Sequence, residues 1–595
     1  MTKKFRSLLM SSVLGLALAA GACKEPDPNA FETHVENIKD PAKRASGFSG
    51  LEGLVKTVVT SENKQARLDE FVAKVLPALE QVWPDAPEHH EKILLMLRDA
   101  GRPEAAPIWN QALGLDGSGE ARKRSILALE GIKKAKATDS AEQVREEFKK
   151  LIDNPKNDEG NDEEGGRVRI LMAETLGVLH DNKAVDLLVE SLMQPREKQP
   201  PSVHRAVATA LGHIGDGSEK TVDALLTVTF RVPDFATSKN VGVRAKQALV
   251  AIGDPAIPQI IKMLKGQHTE VQKLAAQASA EEAGLNQFVI AQTAASILGG
   301  MGSAKAVDAL LEVYPKDDCV AAAPKEEKKK PEEEEATDDG GVSIAFAELR
   351  AVVANALGLI GDPRAVDVLC QCSLTSKNPG DMFEILNALG RIGGTKAVEC
   401  LNVAITTAEY TADAALKDRK FEARWESGRF AVLGAGPDDI AKVEEAIAAA
   451  GAADAKVKTE LEAWKPGIEI TKKCKADKDC YLAMLRDTNA DWFAREKSAF
   501  EVAKLGVGDP AMALEIAKAY KVRNKDARVS MAWLPAKMLG DKKCPECAAA
   551  LESVHEAEKL STDRLYQAAV LLARDSIAKL SDEGAAEPAA PAAKK

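Results

Sequence analysis

A chain of 595 residues exceeds what one ordinary hydrophobic core organises, so it reads as several domains or one extended array. It is 45% hydrophobic but only 4% aromatic, which disfavours a β-sandwich and favours helices packed closely through small residues. A net charge of -11 gives no electrostatic ground for nucleic acid as a partner, and eight His leave little for a His-rich metal centre.

The first element is a leader. Lys3, Lys4 and Arg6 form a basic start, and Leu8 to Ala20 is an apolar run too short for a comfortable membrane span. It ends in "AAGAC", with Cys23. This resembles the lipobox of bacterial lipoproteins, where small residues precede a Cys that receives lipid and becomes the mature N-terminus. The family usually has Leu three residues before the Cys, and Ala20 stands there, so ordinary signal cleavage is the competing outcome. The resemblance implies a signal peptide over 1–22, lipidation at Cys23, a tether over 23–30 and a membrane anchor that does not cross the bilayer. Lys24, where Asp holds some lipoproteins at the inner membrane, favours the outer membrane of a bacterial envelope, facing the periplasm or the surface.

Helical patterning follows. Residues 31–166 read as divergent helical repeats, with helix pairs in 88–113 and 121–152. From 167 to 314 and again from 345 to 450 a unit recurs: "LGHIGDGSEKTVDALL" (211–226), "LVAIGDPAIPQIIKML" (249–264), "LGGMGSAKAVDALLEV" (298–313), "LGLIGDPRAVDVLCQC" (357–372) and "LGRIGGTKAVECLNVA" (389–404). Its period of about 30–40 residues is that of two-helix solenoid repeats. Apolar residues at Phe346, Leu349, Val353, Leu357 and Ile360 share one helical face. Residues 315–344 read as an acidic disordered insertion, 451–580 as divergent helical repeats with Cys pairs, and 581–595 as a disordered tail.

The joint between helices is legible as punctuation. Gly361 follows the last apolar residue of one helix, where a left-handed stop suits glycine. Asp362 is placed to cap the next helix, and Pro363 to open its first turn. The same roles are expected of Gly253, Asp254 and Pro255, and of Gly508, Asp509 and Pro510. No strand-turn-helix phosphate loop accompanies these glycines, so a phosphate or metal role for them is disfavoured.

These units resemble HEAT repeats of the bacterial, phycobilin-lyase-like type, through the pattern A-x-A-L-G-x-I-G-[DG]-x-x-A-V-x-x-L. The resemblance implies an all-α, right-handed α-solenoid of stacked two-helix repeats, and a binding surface for proteins. It also admits a lyase-like or hydroxylase-like enzyme, since some HEAT-like proteins hold metal through His-Glu pairs. Here "EHHE" (Glu88 to Glu91) reads better as a solvated helix start, because neighbours on a helix diverge by about 100°.

Eight cysteines remain after Cys23, an even number that favours disulfides in an oxidising compartment. Cys474 and Cys480 enclose a short charged loop. Cys544 and Cys547 form a Cys-Pro-x-Cys at a helix start, expected as a local disulfide, with a thiol-disulfide oxidoreductase or a shared zinc site as alternatives. Cys370 and Cys372 face different sides of one helix, so each is expected to pair with Cys319 or Cys400. No catalytic constellation, metal site, cofactor or small-molecule substrate is identified. The sequence therefore favours a non-enzymatic, membrane-tethered interaction protein.

Overall fold

The computed structural model describes residues 27–116, 118–158, 166–195, 198–231, 241–280, 287–316, 339–373, 379–407, 423–453, 458–459, 461–521, 524–558 and 564–581. Cys23, Cys319, most of the expected insertion and residues 582–595 of the tail lie outside the described residues. The chain is an all-α solenoid of stacked helix pairs, with no strand among the described residues. It divides into two compact units, Met1–Asp162 with Arg167–Thr175, and Glu163–Gly166 with Leu176–Lys595.

The first unit holds α1 (Phe31–Lys39), α2 (Arg44–Val58), α3 (Lys64–Lys74), α4 (Leu76–Val82), α5 (His90–Ala100), α6 (Ala106–Ala112), α7 (Gly119–Ala135) and α8 (Ala141–Asp153). Phe31, Phe48, Phe71, Trp109 and Phe148 are fully buried and make its core. Gly131 of α7 admits the Trp109 indole, since a Cβ there would lie 2.7 Å from its Nε1. The "EHHE" stretch departs from the solvated start expected of it. His90 stacks on Trp83 at 3.6 Å and its Nε2 meets the Trp83 carbonyl at 2.8 Å, while His89 packs 4.7 Å from Phe48. Burial pushes the His90 imidazole below its ordinary pKa. The imidazoles fill space beside aromatic rings, which a polar reading of the four letters misses.

The expected boundary at 166 also shifts, into α9 (Arg167–Val178). Buried Asp158 accepts the Val168 and Arg169 amides at 3.0 and 3.1 Å, and Lys133 pairs with Glu174 at 2.7 Å. These interactions bind the first turns of α9 to the first unit.

The second unit continues with α10 (Val185–Leu192), α11 (Pro201–Ile214), α12 (Glu219–Arg231), α13 (Val241–Ile252), α14 (Ile257–Leu264), α15 (Thr269–Ala280), α16 (Gln287–Met301) and α17 (Val307–Val313). Then come α18 (Asp339–Ile360), α19 (Val366–Ser373), α20 (Pro379–Ile392), α21 (Thr395–Thr407), α22 (Ala423–Gly434) and α23 (Ile440–Ala453). Last are α24 (Lys465–Cys474), α25 (Lys478–Arg486), α26 (Trp492–Leu505), α27 (Pro510–Ala519), α28 (Lys525–Leu539), α29 (Pro545–Glu558) and α30 (Arg564–Leu580). Residues 339–344, assigned to the insertion on composition, are thus the start of α18. The apolar spacing that signals this helix begins only at Phe346, while the backbone is helical from Asp339, about two turns earlier.

The A-L-G triplet acquires a mechanical meaning. The first helices of successive repeats pack side by side, and where the leucine is followed by glycine that glycine meets the alanine of the next repeat; α13, with Val250 in that place, is the exception. A Cβ on Gly177 would lie 2.9 Å from the Ala210 Cα; on Gly212, 2.8 Å from Ala248; on Gly299, 2.8 Å from Ala356; on Gly358, 2.7 Å from Ala388. Between them, Leu211, Leu249, Leu298, Leu357 and Leu389 are fully buried, each worth about 1.5–3 kcal/mol of transfer free energy. The ladder ends where Gly390 meets Phe430 instead of alanine.

Candidate functional site

An array of this kind is expected to present an open concave face. In the second unit that face is taken by the chain's own end. The row of first helices runs α11, α13, α16, α18, α20 and α22, continues through α26, α28 and α30, and returns, because α30 packs against α13 and α16. Helix α28 meets α18, and α26 meets α22.

Lysines fasten this closure. The last carbonyls of a helix have no intrahelical donor and carry the negative end of its dipole. Lys579 of α30 donates to the Met301 carbonyl at the end of α16, at 2.7 Å. Lys537 of α28 donates to the Ile360 carbonyl at the end of α18. Lys504 of α26 donates to Gly434 at 3.1 Å, and Lys497 to Leu433 and Ala435 at 3.2 and 2.6 Å, at the end of α22. Burial holds the Lys537 and Lys497 ammoniums down to about 8, and it lowers Lys579 as well. Sequence reasoning missed these residues. Their signal is an Ala-Lys-[Leu/Met] at the end of three late helices, namely Ala503 to Leu505, Ala536 to Met538 and Ala578 to Leu580.

Buried charges complete the joint. Glu496 of α26 is fully buried and accepts from Arg429 of α22 at 2.8 and 3.0 Å and from Ser530 of α28 at 2.6 Å. Lys497 pairs with Glu501 at 2.5 Å. Arg391 of α20 lies over the Trp533 ring at 5.3 Å, and burial lowers its pKa to about 10. The tryptophans, scattered in sequence, partly gather. Trp464 lies 4.7 Å from Trp425 and 6.1 Å from Trp492.

Between the facing helices lies a cavity of about 380 Å³. Its wall includes Asn355, Leu359, Asn387 and Arg391, which are the letters flanking A-L-G. The sequence pattern scores those letters as variable, because each faces the centre and not the stack. At the equivalent places His213, whose imidazole burial beside His180 drives down to about 4, and Gly300 replace Leu359 and Arg391.

Asp575 of α30 lies where Gly300 would carry a Cβ, 3.3 Å from its Oδ2. Burial raises its carboxyl to about 7, against the pull of Lys246 and Arg574. The folded state therefore holds a proton that the unfolded chain releases between about pH 4 and 7, so this contribution to stability falls as pH rises through that window. The Asp575→Asn variant is expected to melt higher than the parent at pH 8, with the gap closing towards pH 4. Thermal melts at both pH values check it.

The helix-cap loops behave unequally. Gly253 and Gly361 have φ of 74° and 71° and donate back to Leu249 and Leu357, as the glycine stop requires. Asp362 accepts the Arg364 amide at 2.9 Å and pairs with the same guanidinium, which depresses its pKa. Asp509 accepts from Ala511 and Met512. Asp254 corrects the expectation. It makes no side-chain cap and pairs with Lys305 at 2.7 Å, because Gly253, with ψ of -140°, turns the chain differently at this joint. Gly508 is another correction. Helix α26 already stops at Gly506, and Gly508, φ 79°, donates to the Met538 carbonyl. Asp362→Ala is expected to cost about 1 kcal/mol, and Asp254→Ala less than half of that, by denaturant titration.

Among the cysteines, Cys370 of α19 meets Cys400 of α21 with S–S 2.08 Å, joining second helices of adjacent repeats. Cys372 is also bonded. Cys474 meets Cys480 across the α24–α25 loop, and Cys544 meets Cys547 at the start of α29. The latter sulfurs are buried, with Cys544 at 3% and Cys547 at 0% exposure, whereas thiol exchange needs an accessible sulfur. Among the described residues, no three His, Cys, Asp or Glu side chains gather as a metal site would require. No described helix is long and apolar enough to cross a membrane.

The family model for HEAT repeats matches residues 343–417. Curated proteins provide no match. Among solved structures, the chain is similar to the karyopherin Kap121p bound to the extreme C-terminus of the protein phosphatase Cdc14p, at 12% identity and TM-score 0.42. That match covers 96% of this chain and 68% of the other. It is also similar to importin beta, at 14% identity and TM-score 0.35, covering 93% and 68%.

Proposed function

We propose that this protein is a lipid-tethered HEAT-repeat scaffold of the bacterial cell envelope, which binds other proteins and catalyses no reaction. The observation that carries the reading is the use made of the buried charges. Arg429, Glu496, Lys497 and the helix-capping lysines are all committed to joints of the stack. They build a stiff frame, and its outer helices and loops are left for partners. Val403 on α21, with Leu505 and Val507 at the α26–α27 turn, are large apolar side chains left exposed there. The lipobox-like "AAGAC" supports the tether at Cys23, and the outer membrane is the favoured location. The cysteine pairs act as structural staples in an oxidising compartment.

Cross-linking in the native envelope, followed by affinity capture and mass spectrometry, is expected to enrich a specific protein partner over a control lipoprotein. A capture indistinguishable from the control would overturn the scaffold reading. The mature N-terminal mass tests the tether separately: an unmodified residue there excludes lipidation. Alkylation without reductant is expected to leave Cys370, Cys400, Cys474, Cys480, Cys544 and Cys547 unlabelled.

A further inference from the structure

The central cavity of the second unit has a polar end and an apolar body. At the polar end stands Arg391, 9% exposed. Its Nη1 reaches Asn355 Oδ1 at 3.3 Å, a long hydrogen bond, and its remaining guanidinium edge is a planar fork of donors with no carboxylate of the described residues across it. Of the acids nearby, Glu384 and Glu496 are engaged elsewhere, and Asp575, which also lines the cavity, lies beside Gly300. Glu384 accepts the Asn355 amide at 2.8 Å and the Asn387 amide at 3.5 Å, and Glu496 is held by Arg429 and Ser530. The body is lined by Val352, Leu359, Phe383, Phe500, Leu571 and Leu572. Leu571 is 52% exposed although it sits on an inner helix, so its side chain presents uncovered apolar surface to this space. A volume of about 380 Å³ falls at the small end of ligand pockets.

We propose that this cavity binds a small amphipathic carboxylate, its head in a bidentate pair with Arg391 and its apolar chain along Leu571, Leu572 and Phe383. The head supplies the charged, planar acceptor that a buried guanidinium fork matches best. The chain removes from water the leucine surface that the fold leaves bare. This goes beyond the scaffold reading and does not depend on it: the ligand is enclosed by the closed helix row, and protein partners meet the outside.

Isothermal titration of the full mature protein with decanoate tests it, with decylamine and decanol as probes of the head group. Decanoate is expected to bind one to one and more tightly than either. Arg391→Gln is expected to weaken it at least tenfold. Because Arg391 also packs on Trp533, Leu571→Trp provides a second variant: it fills the cavity from an uncovered position and is expected to abolish binding with the circular dichroism and melt unchanged. Absence of decanoate binding, tighter binding of decylamine or decanol, or undiminished binding in a folded Leu571→Trp would each overturn the proposal.

Discussion

Replacing Arg429 by Met is expected to destabilise the second unit by about 3–5 kcal/mol, the cost of leaving a buried charge without its partner. Glu496 is fully buried, and both of its oxygens receive the Arg429 guanidinium. Ser530 supplies one more donor, which cannot neutralise the charge. Three helices converge on that carboxylate, α22 through Arg429, α26 through Glu496 itself and α28 through Ser530. The loss should therefore be felt as loosening of the closure and not of one repeat. Replacing both partners, Arg429→Met with Glu496→Met, is expected to recover most of the stability, because the pair's attraction roughly balances the cost of removing two charges from water. Denaturant midpoints of the two variants check this. A single variant no worse than the double would mean that water reaches Glu496 and that the pair is no joint. Proteolysis gives a second readout, since α26 to α30 should become cleavable before the ladder of α11 to α20 does.

The repeats were legible because their physics is local. A glycine stop, a cap and a proline start are set by a few neighbouring residues: at this joint Gly361 has a left-handed φ, Asp362 accepts the Arg364 amide and Pro363 opens the next turn. The same letters misled at Asp254, where the backbone after Gly253 takes another path and the carboxylate goes to Lys305. Helix spacing likewise located the core leucines. What the sequence concealed was the meeting of distant segments. Lys537 and Lys579 look like ordinary basic residues in a last helical turn, and their targets lie 177 and 278 residues away. Arg391 and Asn355 occupy letters that a repeat pattern treats as noise, since the pattern records only what stacking demands. A position that varies among repeats while its neighbours hold constant is where the array faces something other than itself. Inverted in that way, the repeat pattern points to the cavity wall.

Glycine gives the sharper test, because one substitution should have opposite signs at two places. Within a helix, Gly→Ala removes backbone freedom from the unfolded chain and stabilises by about 0.5–1 kcal/mol where the methyl group has room. Gly53, exposed in α2, has nothing within 4 Å of where a Cβ would stand, so Gly53→Ala should stabilise by that amount. Gly358 lies in α18 against α20, with the Ala388 Cα 2.7 Å and its Cβ 2.9 Å from where the methyl would stand. The nearest atom is backbone, so no side chain can swing aside, and the two helices must part. Overpacking of this kind costs about 1–3 kcal/mol, which exceeds the gain, and Gly358→Ala should destabilise by about 2 kcal/mol. Adding Ala388→Gly relieves the crowding from the alanine methyl and leaves that from the backbone, so rescue should be partial. Full rescue would mean that side-chain crowding alone sets the spacing of the ladder. Melting shifts of opposite sign at Gly53 and Gly358 would show that the third letter of A-L-G is kept for distance between helices: glycine there is the thickness of the joint, and a repeat whose neighbour approaches less closely has no need of it.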